Sequence, residues 1–451
     1  PPIPGLIPSP FDSRDFAFSA VAGTEPLPTS FFSDISRIPV VNQGINPSCF
    51  PGNTKVLMED FSWKSIVNIL PGEQVFTHLG NKKRVSKRFS RIWQGTMYRI
   101  WAFNYHAPIY CTPEHPLFTQ RGWVPAKEIK ENDFLARPIL KETSDKTLWN
   151  FEKDPDFLWV LGMYLAEGCW SPDDITFTLS KDEKIFAEKI LRTLKKYGCQ
   201  GTIYASPSRP SVISVGIYGK KWSSVFLELG NKYAQYKRLH SRLMCLEPEL
   251  QMEIFRGWAD GDGYKGKSVV SISEDLVRQM QIILLRNGIM GSLQQRKERE
   301  DRQTAYVLET TLSHQIKGNF KKNYRGYWTD NFYFSKVRRI EKERAFMKGS
   351  VYNLEIEDDN SYIVSGIAVH NCVGQAGAFM QEFYELKDEG ILHDFSPRFL
   401  YAKAKEIDGY DGDGTYLRVV LKILQDYGVC RNQFFKEEPF SSNATYKDWT
   451  K

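Results

Sequence analysis

The stretch AVHNCVGQAGAF, residues 368–379, sets a cysteine behind a His-Asn pair and ahead of a helix-like run of small and apolar residues. A thiol that opens a helix is a well-placed nucleophile, because the helix dipole lowers its pKa from about 8.5. The His-Asn pair has no part in such a site. Joining Ser48 directly to Cys372 removes the pair and gives VVNQGINPS (residues 40–48) followed by CVGQAGAFMQEFYEL (372–386). In the joined string Gln43 stands six residues before Cys372. Residues 49–371 therefore read as an interruption of a sequence that is continuous without them.

Charge divides at the same places. Residues 1–48 carry two Lys/Arg against four Asp/Glu and residues 372–451 carry ten against thirteen; with the whole chain at +6, the stretch 49–371 is +11. A basic centre between acidic flanks is a footprint of nucleic-acid binding. At 451 residues with 41% hydrophobic and 25% charged, about three globular domains are expected. The longest apolar runs, such as LWVLGMYLA (158–166), are too short to span a bilayer, so no membrane partner is expected. The seven cysteines are scattered without a CxxC pair, which favours reduced thiols over a disulfide framework or zinc cluster. The chain starts Pro-Pro-Ile-Pro and reads as a fragment.

The flanks, 1–48 and 372–451, resemble papain-like cysteine peptidases. The likeness rests on Gln43 and Cys372 in the joined string and on FSPRFLYAKAKEIDGYDGDGTYLRVVLKILQDYGVC (395–430), which is similar to that family's second helix, Gly-rich loop and following helix. The family's catalytic His and Asn would fall beyond Lys451, and His393 reads as a surface histidine. The resemblance therefore implies an incomplete host whose joined form takes a peptide substrate.

The insert begins CFPGNTKVLMED (49–60), ends VHN at Asn371 and is followed by Cys372. It contains CTPEHPLFT (111–119) and SVYNLEIEDDNSYIVSGIAVHN (350–371). Together these resemble an intein, the self-splicing element of the Hint fold, with Thr112 and His115 matching the family's TxxH. The resemblance implies a thioester at Cys49, with Thr112 on the scissile amide and His115 as acid/base. Transfer to Cys372 and cyclisation of Asn371, assisted by His370, then leave Ser48 joined to Cys372. No cofactor is expected for splicing. Asn353 stands where the family often has Asp and Asn360 where it often has His, departures that bear on the assistance given to cleavage and to Asn cyclisation. Alternation in EQVFTHL, MYRIWAF and VYNLEIE is strand-like and predicts one all-β, horseshoe-shaped domain from 49–145 and 326–371.

Between those halves, residues 146–325 contain two similar units. VLGMYLAEGCW (160–170) and IFRGWADGDGY (254–264) each place an acid before Gly at a helix end. A strand-like run and a Ser follow, DITFTLSKDE with Ser180 and KSVVSISED with Ser273; then come a helical pattern and a glycine turn, at offsets of 95, 93 and 90 residues. The apolar spacing is that of amphipathic helices: Ile185, Phe186, Ile190, Leu191 and Leu194, then Leu276, Met280, Ile283 and Leu284. The pair reads as an internal duplication and resembles the single-chain LAGLIDADG homing endonucleases, an α+β pseudo-symmetric domain. Small residues at the seam, Gly162, Ala166, Gly257 and Gly261, fit two closely packed helices. The resemblance implies that Glu167 and Asp262 are catalytic acids holding Mg²⁺, and that double-stranded DNA is the partner. Arg296 and Lys297 in QQRKERED, and Lys321, Lys322 and Arg325 in GNFKKNYRGYW, are the expected phosphate contacts.

A cytoplasmic monomer is expected for the insert. Two other readings remain open: a peptidase zymogen whose inserted domain blocks Cys372, and a DNA-binding module that cleaves its flanks without joining them.

Overall fold

The structure is a computed structural model that describes residues 48–206, 209–264, 267–296, 303–310, 325–343 and 349–370, with 403, 407 and 423 beyond them. Gln43, Lys297, Lys321, Lys322, Asn371 and Cys372 lie outside the described residues, as do nearly all of both flanks.

Ten strands come first: β1 (Phe50–Pro51), β2 (Lys55–Leu57), β3 (Trp63–Ser65), β4 (Gln74–Phe76), β5 (Lys82–Trp93), β6 (Met97–Ala102), β7 (Ile109–Cys111), β8 (Pro116–Thr119), β9 (Gly122–Pro125) and β10 (Phe134–Pro138). The last five close the described insert: β19 (Gly326–Trp328), β20 (Phe332–Glu343), β21 (Gly349–Ile356), β22 (Ser361–Val364) and β23 (Ile367–His370). They interleave, so each sheet draws on both ends of the insert. One sheet runs β1-β21-β5-β4. The other runs β3-β2-β22-β23-β8-β10-β20-β6-β7, with β19 added to β20 and β9 to β8. The β22–β23 hairpin lies inside that sheet with every strand residue except His370 buried, which is why YIV and IAV are continuous apolar runs rather than alternating ones.

The centre repeats one topology twice. Helix α1 (Pro155–Glu167) leads to β11 (Gly168–Trp170), β12 (Asp174–Ser180), α2 (Lys184–Lys195), β13 (Gln200–Ser206), β14 (Arg209–Tyr218) and α3 (Lys220–Gly230). Helix α4 (Pro248–Asp262) leads to β15 (Gly263–Tyr264), β16 (Ser268–Ser271), α5 (Glu274–Arg286), β17 (Ser292–Arg296) and β18 (Ala305–Glu309). The sheets β11-β12-β14-β13 and β15-β16-β18-β17 share the same order. Helix α1 starts where Asp154 accepts a hydrogen bond from the Asp156 amide, with Pro155 in the first turn, a position where its missing N–H costs nothing.

Helices α1 and α4 touch backbone to backbone. A Cβ added at Gly162 would stand 2.1 Å from the Ile254 carbonyl oxygen, and one at Gly257 would stand 2.0 Å from that of Trp159. The hydrophobic core does not stop at the end of the repeat: Leu57, Phe61, Trp63, Phe76, Tyr105 and Ile363 of the strand framework pack in one cluster with Trp159, Leu276 and Met280. A second cluster, with Phe50, Val56, Ile100, Leu117, Leu354 and Val369, lies wholly within the strand framework, so that part has a core of its own beside the shared one.

Candidate functional site

The strand pairing that builds the framework also assembles its chemistry. Strand β1 pairs with β21, opposing Phe50 to Tyr352, and anchors Cys49 just ahead of it. The turn after β7 supplies Thr112 and His115. The Cys49 amide donates to Thr112 Oγ1 at 2.8 Å, while the Cys49 carbonyl accepts from the Thr112 amide at 3.0 Å and from its hydroxyl at 3.3 Å. Both polar groups of the Cys49 main chain are thereby held by one residue. On the upstream side, Ser48 Oγ donates to the Glu114 carbonyl at 3.1 Å, fixing the residue whose peptide bond Cys49 would attack.

Cys49 is 1% exposed and His115 fully buried. Burial pushes the Cys49 thiol up to about 12, opposed by the Arg91 guanidinium. Burial holds His115 down at about 3, with the Ser48 main chain pulling weakly upward and His370 pushing further down. At neutral pH the site therefore holds a protonated thiol and a neutral imidazole, and the burial that keeps the imidazole neutral also makes it a weak base. The His115 ring packs 4.0 Å from the Phe50 ring.

His370 arrives from the other end of the insert. Strand β23 pairs with β8 at Val369 and Leu117, which brings His370 beside the turn that carries His115. Its ring stands edge-on to Trp123 at 4.8 Å. Asn353 is buried, and its Oδ1 accepts from the Tyr362 hydroxyl at 2.7 Å and the Leu354 amide at 2.8 Å. Asn360 lies in a turn with φ 51°, a left-handed conformation that Asn tolerates well.

A second cluster sits at the paired ends of α1 and α4. A Cβ at Gly261 would meet Ala166 at 2.5 Å and Glu167 Cγ at 3.3 Å, so the close crossing brings Glu167 and Asp262 to one place. Glu167 is raised to about 7, chiefly by burial and then by Asp262. Asp262 is raised to about 6 by burial, against the pull of Lys237. Lys237 reaches between them: its Nζ donates to the Gly168 carbonyl at 2.7 Å and to that of Tyr164, and burial lowers it to about 8. Two carboxylates that repel one another in a half-buried site fit a hard divalent cation. Arg296 ends β17 on an exposed saddle edge, whereas Arg325 precedes β19 and stacks 5.7 Å over Phe103. The two expected phosphate contacts that are described thus lie on different sheets.

Three polar residues escaped the sequence reading. Lys237 and Arg91 sit in no motif, and His78 lies in a hairpin turn between β4 and β5. Each is placed by tertiary register alone; the apolar neighbours of Lys237 carry no periodic signal that would flag it.

The chain matches the family model described as Intein splicing domain over residues 60–371. It is 26% identical over 417 residues to an uncharacterized protein of Methanocaldococcus jannaschii, covering 75% of this chain and 52% of that protein. It is 25% identical over 397 residues to an ATP-dependent DNA helicase of Thermococcus kodakarensis, covering 69% and 35%. The chain spans about half or less of the length of these curated relatives. Among solved structures, a mesophilic variant of the homing endonuclease I-DmoI aligns with a TM-score of 0.30 and 13% identity, over 36% of this chain and 92% of that one. Among the described residues no helix is long and apolar enough to cross a membrane.

Proposed function

Since the chain belongs to the intein splicing-domain family, we propose that residues 49–371 excise themselves and leave Ser48 bonded to Cys372. The observation that carries this reading is the grip of Thr112 on the Cys49 main chain beside the neutral, buried His115. His115 takes the thiol proton as Cys49 Sγ bonds to the Ser48 carbonyl carbon, and returns it to the Cys49 nitrogen as the C–N bond breaks. Thr112 holds that nitrogen during the exchange. The Cys372 thiol then displaces Cys49 from the acyl group. Next the side-chain nitrogen of Asn371 bonds to its own carbonyl carbon and loses a proton. The bond to Cys372 breaks, and its nitrogen gains a proton, with His370 placed to move it. The freed amine finally displaces the Cys372 sulfur from Ser48, giving an ordinary peptide bond. Matches that cover only part of each relative support an element carried inside larger hosts; the host here would be a papain-like cysteine peptidase.

The helix pair supports a second activity, cleavage of double-stranded DNA. Glu167 and Asp262 would hold Mg²⁺, which activates water and stabilises the leaving oxygen in phosphodiester cleavage. Lys237 lies where its charge would offset a developing negative charge. The exposed faces of β13 and β17, with Gln200, Thr202, Tyr204, Gln294 and Arg296, offer the polar and basic groups that base edges and phosphates require.

Paired variants separate the two activities. Cys49→Ala is expected to abolish the joined product and leave DNA cleavage in place; Glu167→Gln with Asp262→Asn is expected to do the reverse. Ligation that survives Cys49→Ala would overturn the splicing reading. DNA cleavage that survives loss of both acids would overturn the assignment of the nuclease site.

A further inference from the structure

The turn after β4 brings a third imidazole to the end of the insert. The His78 amide donates to Ser361 Oγ at 3.1 Å, and the same oxygen stands 2.6 Å from His78 Nδ1. Ser361 is fully buried and lies opposite His370 across the β22–β23 hairpin. The two histidines also share an aromatic neighbour: Trp123 stands edge-on to His78 at 5.3 Å and to His370 at 4.8 Å. Around them Asp359 accepts from Thr77 Oγ1 at 2.6 Å and Asn81 Nδ2 at 2.9 Å, locking the hairpin tip onto the turn before β22.

Ser361 Oγ accepts from the His78 amide, and its second lone pair and its own hydrogen let it either accept from or donate to His78 Nδ1, so the contact holds in both neutral tautomers of the ring. Burial holds His78 down at about 4, with Asp359 pulling up and His370 pushing down. His78 is accordingly neutral whenever His370 handles a proton, and it adds no charge to compete with it.

We propose that His78 is a positioning residue for cleavage after Asn371, fixing through Ser361 and the Trp123 indole the strand end from which His370 acts. This rests on the splicing reading above. The contacts of His78 run through Ser361 and Trp123 to His370, so the proposal assigns it to the C-terminal step.

The test measures the two ends separately in the full chain. In a Cys49→Ala background only release at the Asn371–Cys372 bond is followed; in an Asn371→Ala background only thiol-induced cleavage after Ser48 is followed. His78→Ala is expected to slow the first between about ten- and a hundredfold, the scale of a misplaced reacting group, and to leave the second unchanged. Ser361→Ala should do the same. His78→Asn keeps an oxygen acceptor near the place of Nδ1 and should restore most of the rate. Unchanged release in His78→Ala would overturn the proposal, and so would equal loss at both ends in His78→Ala and His78→Asn, which marks a folding defect. Absence of release in the Cys49→Ala protein with His78 intact would instead remove the splicing reading itself.

Discussion

His115 differs from a surface histidine in its complete burial. The charged form is penalised, so the ring stays neutral far below the usual imidazole range. In the Cys49→Ala, Asn371→Ala protein, carbon-13 resonances of labelled His115 should not titrate between pH 5 and 8; a midpoint near 6.5 would contradict the environment described. The same depression links to stability. The unfolded chain takes up a proton below about pH 6.5 that folded His115 refuses until about pH 3. Stability is therefore full above the unfolded value and falls with acid, by roughly 2 kcal/mol for this group between pH 7 and 5. Cys49, TxxH and His-Asn were legible in the sequence because motif spacing carries them. His78 was not, because its partner Ser361 is 283 residues away and only the pairing of distant strands sets them side by side.

At the scale of elements, the α1–α4 pair was readable in outline: glycines at matching places in two similar units foretell close helices with acids at a shared end. What the sequence could not show was how little room the crossing leaves. Gly162→Val would place a side chain against the main chain of α4, where no rotamer change relieves the contact. The expected cost is about 3 kcal/mol, read as a shift in urea unfolding, with DNA cleavage lost where the variant remains folded because Glu167 and Asp262 are spread apart. Wild-type stability in Gly162→Val would contradict the backbone contact. Arg296 and Arg325, the two expected phosphate contacts that are described, are placed by different strand pairings. Charge along a chain is visible in sequence, but Arg325 enters β19, whose pairing with β20 carries it onto the large sheet.

Taken whole, the molecule interleaves two ends of one insert into shared sheets and packs a duplicated helix-and-strand unit against them through a common core. That arrangement explains why the insert's boundaries carry the reactive groups: β1 and β23, although more than three hundred residues apart, enter the framework within reach of the single turn bearing Thr112 and His115. The shared part of the core was not legible in sequence because apolar residues such as Trp63, Tyr105 and Ile363 fit a strand framework equally well whether they face its own interior or a neighbour. Splicing is the claim on which the rest depends. The most direct measurement is mass spectrometry of the unaltered chain over time, with peptide mapping across the junction. The account expects a free species of residues 49–371 and a peptide in which Ser48 is bonded to Cys372. Free flanks without that junction, or a chain that stays intact, would contradict it.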